Sequence, residues 1–172
     1  MEITRPLNLK RWVESNRHLL KPPVGNKVIY EDGDFIIMVV GGPNKRKDYH
    51  VDPLEEFFYQ LEGDMMLKII DNGKKVDMII KEGEIFLLPK NIPHSPQRFL
   101  NTVGLVVEYK RSKGISDTFQ WYCDTCNNLL HEVKVELEDI VIQLPIIFES
   151  YWESISARTC ESCGEIQEPI DK

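Results

Sequence analysis

The chain has 172 residues, enough for one domain at roughly 150 residues per domain, and its 42% hydrophobic and 28% charged content is that of a folded globular protein. A net charge of −7 gives no general attraction for a phosphate backbone or an anionic lipid surface, which sets nucleic acid and membrane aside as partners. The longest apolar run, "FIIMVV" (Phe35 to Val40), falls far short of the roughly 18 residues a spanning helix needs, and "MEITRPLNLKRW" lacks the apolar stretch of a signal peptide, so a cytoplasmic location is expected.

Near the start, "LNLKRWVESNRHLL" places Leu9, Trp12, Val13, Leu19 and Leu20 at roughly helical spacing behind a candidate N-cap, Asn8. The spacing predicts a short helix outside the main body, and the prolines and glycine of "KPPVGN" end it. From Lys27 to Lys110 the pattern changes to short β-like runs: "KVIYE", "FIIMVV", "EEFFYQL", "MMLKII", "VDMII", "EIFLLP" and "VGLVVEY". Turn signals separate them, and "DNGK" predicts a hairpin because Asn-Gly supplies the positive φ angles of a type I′ turn. Many short strands with no long helix between them predict an antiparallel sandwich or barrel. "KRSKGISD", Lys110 to Asp117, reads as a polar linker. After it "HEVKVEL" reads as a strand, and "LPIIFESYWESISART" as a helix with Ile147, Phe148, Tyr151, Trp152 and Ile155 on one face. The expectation is a single domain over residues 1–172, with a barrel core at about 27–110 and an extension at about 118–172.

Two turn-rich segments carry the chemistry. In the first, Gly42, Asp48, His50, Glu56 and Gly63 follow one another; in the second, Gly83, Pro89 and His94. Taken singly, His50 reads as a turn residue and His94 as a surface histidine; together, framed by glycines, they read as metal ligands. Glu55 competes with Glu56 for the carboxylate role, since alternation does not say which face points inward, and the motif spacing favours Glu56. The two segments resemble the paired motifs of the cupin superfamily, which implies a metal held inside a small jelly-roll barrel, a double-stranded β-helix. Asp48 stands where many cupins have their first histidine, and Asn91 where the second motif usually has glycine. Two histidines and one carboxylate with open positions opposite suit non-haem Fe(II) oxygen chemistry.

Longer stretches narrow the resemblance. "LLKPPVGN", "VVGGPNKRKDYHVDPLEEFFYQLEG", "EGEIFLLPKNIPHSPQR", "WYCDTC" and "CESCG" resemble the 3-hydroxyanthranilate 3,4-dioxygenases of bacterial and fungal type over nearly the whole chain. That resemblance implies ring opening of 3-hydroxyanthranilate by O2 to 2-amino-3-carboxymuconate semialdehyde, the precursor of quinolinate, in NAD synthesis or in aromatic degradation. It implies Fe(II) on His50, Glu56 and His94, with Arg46 facing O2, Arg98 holding the substrate carboxylate and Glu108 binding the polar ring substituents. It also implies a pocket lined by Val24, Asn26, Phe58 and Pro96, and a homodimer. Each assignment has a plainer competitor: Arg98 as a surface arginine, Glu108 on an edge strand facing water, Arg46 as one cation of a basic loop. A non-catalytic cupin that senses or binds a small aromatic acid is the main alternative to an enzyme.

All four cysteines fall in the last third, as Cys123 with Cys126 and Cys160 with Cys163. In a cytosolic chain, two CxxC pairs hold a metal more often than they form disulfides. Four thiolates close a tetrahedral shell, so the site is structural or electron-transferring. The resemblance implies a rubredoxin-like element that binds iron or zinc.

Overall fold

The structure, a computed structural model, describes residues 5–22, 25–137 and 140–170, with only the backbone described at 140 and 141. A helix α1 (Leu9–Asn16) leads into the strands β1 (Asn26–Tyr30), β2 (Phe35–Gly41), β3 (Asp48–Val51), β4 (Glu56–Glu62), β5 (Met65–Asp71) and β6 (Lys74–Ile80). Then come β7 (Ile85–Leu88), β8 (His94–Arg98), β9 (Val103–Tyr109), β10 (Asp117–Tyr122), β11 (Leu129–Val135) and the helices α2 (Ile140–Glu153) and α3 (Ile155–Arg158). The strands form two antiparallel sheets, ordered β1-β2-β9-β4-β7 and β11-β10-β3-β8-β5-β6. This is the mainly β, two-sheet cupin barrel the sequence led us to expect.

Alternation along the strands decides what lies between the sheets. Glu56, Phe58 and Gln60 of β4 are buried, while Phe57 and Tyr59 turn outward. Phe58 is in register with Val106 of β9, and Val106 with Met38 of β2. These three join Met65, Leu67, Ile69, Ile80 and Leu88 in the main core, each contributing about 1.5–3 kcal/mol when fully buried. Asn8 caps α1 by accepting the Arg11 N–H at 3.0 Å, and Val13 and Leu20 pack on Val39 and Val103, covering part of the outer face of the first sheet.

The hairpin at Asn72 and Gly73 has the expected positive φ angles, 48° and 75°. Asn91, the departure from the cupin glycine, has φ 62° and so fills the same left-handed position, which asparagine tolerates better than most residues. β3, β8 and β10 are absent from the hydrophobic runs, for a reason the site makes plain below. The 110–117 segment is not a free polar linker: Arg111 is folded under it and Asp117 is fully buried. β10 pairs with β3, so the extension continues the second sheet.

α2 turns Ile147, Phe148, Tyr151 and Trp152 toward Phe119 and Trp121, with the Tyr151 and Trp121 rings stacked at 4.3 Å. Ile155 does not share that face. It lies in α3 and is 63% exposed, because Ser154 leaves the helical conformation and caps α3 through the Ala157 N–H at 3.2 Å, which resets the helical phase. Among the described residues no helix is long and apolar enough to cross a membrane.

Candidate active site

β3 and β8 lie side by side in the second sheet, and their one registered pair is His50 with His94. Glu56, the first residue of β4, reaches the same point from the opposite sheet. Ligand atoms of His50, Glu56 and His94 all lie within 4.8 Å of one another. Glu56 is buried beside the two imidazoles, whereas its neighbour Glu55 is exposed. Nε2 of His94 stands 2.8 Å from Oε2 of Glu56, yet that buried oxygen accepts no hydrogen bond. The two atoms converge on a shared point without satisfying each other. Leaving a buried carboxylate oxygen unpaired is costly, and a cation at that point would satisfy it.

The protonation states fit a cation too. Burial pushes Glu56 up, but the imidazoles of His94 and His50 outweigh it and hold it below the ordinary carboxylate value. Burial lowers His50 below the ordinary imidazole value despite its bond to Asp117, so it is a neutral ring with a lone pair to give. Nδ1 of His94 donates to the Ile92 carbonyl at 3.0 Å, which turns Nε2 to Glu56; burial lowers His94, but the Glu56 charge raises it above the ordinary imidazole value, so a metal cation there would take the place of a proton.

Around this trio stand the charged residues named from the sequence. Arg98 is 3% exposed on the same face of β8 as His94, and its guanidinium donates from Nη1 to Gln60 Oε1 at 3.2 Å. No carboxylate pairs with it among the described residues, and burial lowers its pKa to about 10. Glu108 lies on β9, a central strand, directly opposite Glu56, and is mostly buried. Burial, and then the charge of Glu56, push its pKa up to about 7 against the pull of Arg111. Arg46 is ion-paired with Asp48 and lies 5.9 Å from the centre of the Phe148 ring. Asp48, where many cupins have a histidine, is outside the trio's ligand group and anchors Arg46. The side chain of Gln97 bonds both the N–H and the carbonyl of Arg46, at 3.1 and 3.0 Å.

Phe58 is buried with its ring 6.4 Å from that of His94, and Pro96 shares the inward face of β8. Asn26 is exposed at the start of β1. Val24 lies outside the described residues.

The sequence profile described as 3-hydroxyanthranilic acid dioxygenase matches residues 1–152. The chain belongs to that family. Proteins named 3-hydroxyanthranilate 3,4-dioxygenase from a Jannaschia species and from Xanthomonas campestris are 56% and 53% identical to it, over 92% and 94% of this chain and 89% and 91% of theirs. Among solved structures, a Neisseria meningitidis protein superposes with a TM-score of 0.50 at 22% identity, over 62% of this chain and all of the other, which supports the fold alone.

Within this dioxygenase chain, several residues that sequence reasoning missed complete the site. Asp117 bonds His50 Nε2 at 2.7 Å, and Arg111 joins Asp117 to Asp52 and Glu108. Gly104 on β9 leaves room for Arg98, since a Cβ there would fall 2.5 Å from its Nη1 and 2.8 Å from Gln60 Oε1. An arginine and an aspartate six residues apart inside "KRSKGISD" were the one available hint of Arg111 and Asp117, and a polar linker has the same composition.

The four cysteines of the dioxygenase meet at the end of the second sheet. Sγ of Cys123 is 3.6 Å from that of Cys163, and Cys126 is 3.4 Å from Cys160. A disulfide needs about 2.05 Å, whereas thiolates at about 2.3 Å around a tetrahedral metal stand about 3.8 Å apart. Both pairs sit on matching turns: Asn127 N–H bonds the Cys123 carbonyl and Gly164 N–H the Cys160 carbonyl, with Asn127 and Gly164 at positive φ. Replacing Cys160 and Cys163 by serine should lower the melting temperature by on the order of 10 °C while ring opening stays measurable. Complete loss of turnover in a variant that still melts cooperatively would contradict a structural role.

Proposed function

We propose that the protein is a non-haem Fe(II) dioxygenase that opens the ring of 3-hydroxyanthranilate with O2 to give 2-amino-3-carboxymuconate semialdehyde, with His50, Glu56 and His94 holding the iron. The observation that carries the reading is Arg98: a buried guanidinium with no carboxylate of its own among the described residues, on the strand face that also carries His94. A site that keeps such a cation unpaired is built for an incoming carboxylate. Ferrous iron in this ligand set keeps positions open for a chelating hydroxyl and amino pair and for O2.

The chain's own groups supply the rest. Arg98 takes the substrate carboxylate in its two-pronged fork and so fixes the ring's orientation. Glu108, facing Glu56 across the sheet, accepts the ring hydroxyl proton on binding. Arg46, held by Asp48, Gln97 and the Phe148 ring, faces O2, while Phe58, Pro96 and Asn26 line the ring pocket. The cysteine element holds a second iron or a zinc, and its separated thiols agree with a reducing cytoplasm. A ligand-sensing cupin without turnover is the weaker reading, because the relatives that match along the chain are named as enzymes. Anaerobic mixing of Fe(II)-loaded protein with 3-hydroxyanthranilate, followed by air, should give O2 uptake and a ring-opened chromophore. Binding without O2 uptake would overturn the assignment.

Glu108 sets the pH response. A carboxyl shifted from 4.5 to about 7 is protonated below that value and cannot take a proton, so kcat/KM should fall about tenfold per pH unit on the acid side. A bound dication draws the limb below pH 7, and Glu108→Gln should remove it. In metal-free protein the sign for stability is opposite to the usual carboxylate case. The native state holds the proton that the unfolded state releases between 4.5 and about 7, so this group's contribution is present below 4.5 and lost as pH rises through 7.

The dimer has a candidate face. Ile85 and Leu87 on the edge strand β7 are 67% and 54% exposed, and Phe35 and Tyr109 are exposed on the same outer side as Phe57, Tyr59 and Val107. So broad an apolar surface, beyond the part α1 covers, fits a second copy of the chain. Ile85→Glu with Leu87→Lys should give a monomer by light scattering; an unchanged mass would move the interface elsewhere.

A further inference from the structure

Arg111 comes from the segment that looked like a linker, and its side chain is 10% exposed. All five of its N–H groups are engaged. Nε reaches both oxygens of Asp117 at 3.2 and 3.3 Å; Nη1 donates to Glu108 Oε2 at 2.7 Å and to the Tyr109 carbonyl at 2.8 Å; Nη2 donates to Asp52 Oδ2 at 2.6 Å and Asp117 Oδ1 at 2.8 Å. Asp117 in turn holds His50 at 2.7 Å. One guanidinium therefore touches the carboxylate that faces the substrate and, through one aspartate, an imidazole of the metal trio.

We propose that Arg111 is the positioning residue of the site, fixing the separation between Glu108 on the substrate side and His50 on the metal side. The inference rests on the proposed dioxygenase function for its substrate side, and on geometry alone for its metal side. With Oε2 of Glu108 taken by Arg111, Oε1 is the oxygen turned over to the substrate. Asp117, gripped by Nε and Nη2 of the guanidinium, holds the His50 ring through Nε2, so the way that imidazole is turned toward Glu56 and His94 depends on Arg111. A lysine cannot substitute: its ammonium is one point with three donors, and the partners of Arg111 lie on four residues reached by a planar fork.

The test uses the full-length protein with Arg111→Lys and Arg111→Met. Fe(II) affinity is measured anaerobically by competition with a chelator, together with kcat, KM and the melting temperature. For Arg111→Lys we expect Fe(II) binding weakened by about 10–100-fold. kcat should fall by about 100-fold, as for a misplacement of roughly 1 Å, while KM for the substrate shifts far less because Arg98 still holds the carboxylate. Guanidinium added to Arg111→Met should recover part of both quantities. A lowered melting temperature with Fe(II) affinity and kcat unchanged would reduce Arg111 to a structural role and overturn the proposal, as would wild-type values throughout. Should Arg111→Met not fold, Asp117→Asn weakens the metal-side link while Arg111 keeps its bonds to Glu108 and Asp52, and undiminished Fe(II) affinity there overturns the proposal equally. Wild-type protein that binds Fe(II) but consumes no O2 would sink the dioxygenase reading, while the affinity comparison still decides the metal-side link.

Discussion

Glu56→Ala should lose the catalytic metal and lower turnover by about 1,000-fold or more, the scale of several kcal/mol of transition-state stabilisation. The expectation follows from the position of Oε2, buried beside His94 Nε2 and accepting no hydrogen bond. Without that carboxylate, two neutral imidazoles remain, and they cannot offset a dication's charge in a buried site. The fold should survive, because Glu56 also lies directly opposite Glu108, and removing one of two facing buried acids relieves their repulsion. Glu108 should then titrate lower than in the parent protein. Glu55→Ala is the matched control: the side chain is exposed, and both metal content and turnover should stay at wild-type levels. Metal analysis of the two variants, with melting curves in the absence of metal, checks the whole set. Retention of a full equivalent of iron by Glu56→Ala would remove Glu56 from the ligand set.

The strands that sequence patterning revealed and those it hid differ for one physical reason. β2, β4, β5, β6, β7 and β9 point apolar side chains into the core, and their runs of Ile, Leu, Val and Phe stand out at period two. β3, β8 and β10 form the floor of the site. "DYHV" and "HSPQR" turn Asp48, His50, His94 and Arg98 inward, so their buried face is the polar one and hydrophobicity points the wrong way, while "DTFQWY" buries Asp117 on the same face as Phe119 and Trp121, and two apolar positions are too few to stand out as an alternating run. Glycine-framed spacing still singled out His50, Glu56 and His94, which the fold gathers within 4.8 Å of one another, because turns keep their signature whatever the strand between them carries. Arg111, Asp117, Asp52, Gln60 and Gly104 had no such frame. Each depends on at least one partner 38 to 67 residues away in the chain, such as Gln60 on Arg98, Asp52 on Arg111 and Asp117 on His50, and no local pattern reports a contact of that kind. Asn91 shows the opposite case: a departure from a family glycine that the backbone fully explains.

Arg98→Met should separate function from stability in opposite directions. In the free protein the guanidinium is buried with one neutral partner and, among the described residues, no paired carboxylate, and the lowered pKa of about 10 marks how unwelcome its charge is there. Below that pH the cost is carried in full, so neutral pH is where removing it helps most. A methionine of similar length fills the space without the charge, and the melting temperature should rise by about 2–4 °C for each kcal/mol relieved, less whatever Gln60 loses as its partner. Substrate binding should move the other way. Losing one member of a buried charge pair costs about 2–5 kcal/mol, which is roughly 30-fold to several-thousand-fold in kcat/KM. Fe(II) content should stay whole, since Arg98 touches none of the three ligands' coordinating atoms. A substrate analogue lacking the carboxylate provides the decisive comparison: the parent enzyme should handle it poorly and the variant should handle it no worse than the full substrate. If the variant still discriminates strongly in favour of the carboxylate, another cation holds that group, and the reason for keeping a buried unpaired arginine in this barrel must be sought elsewhere.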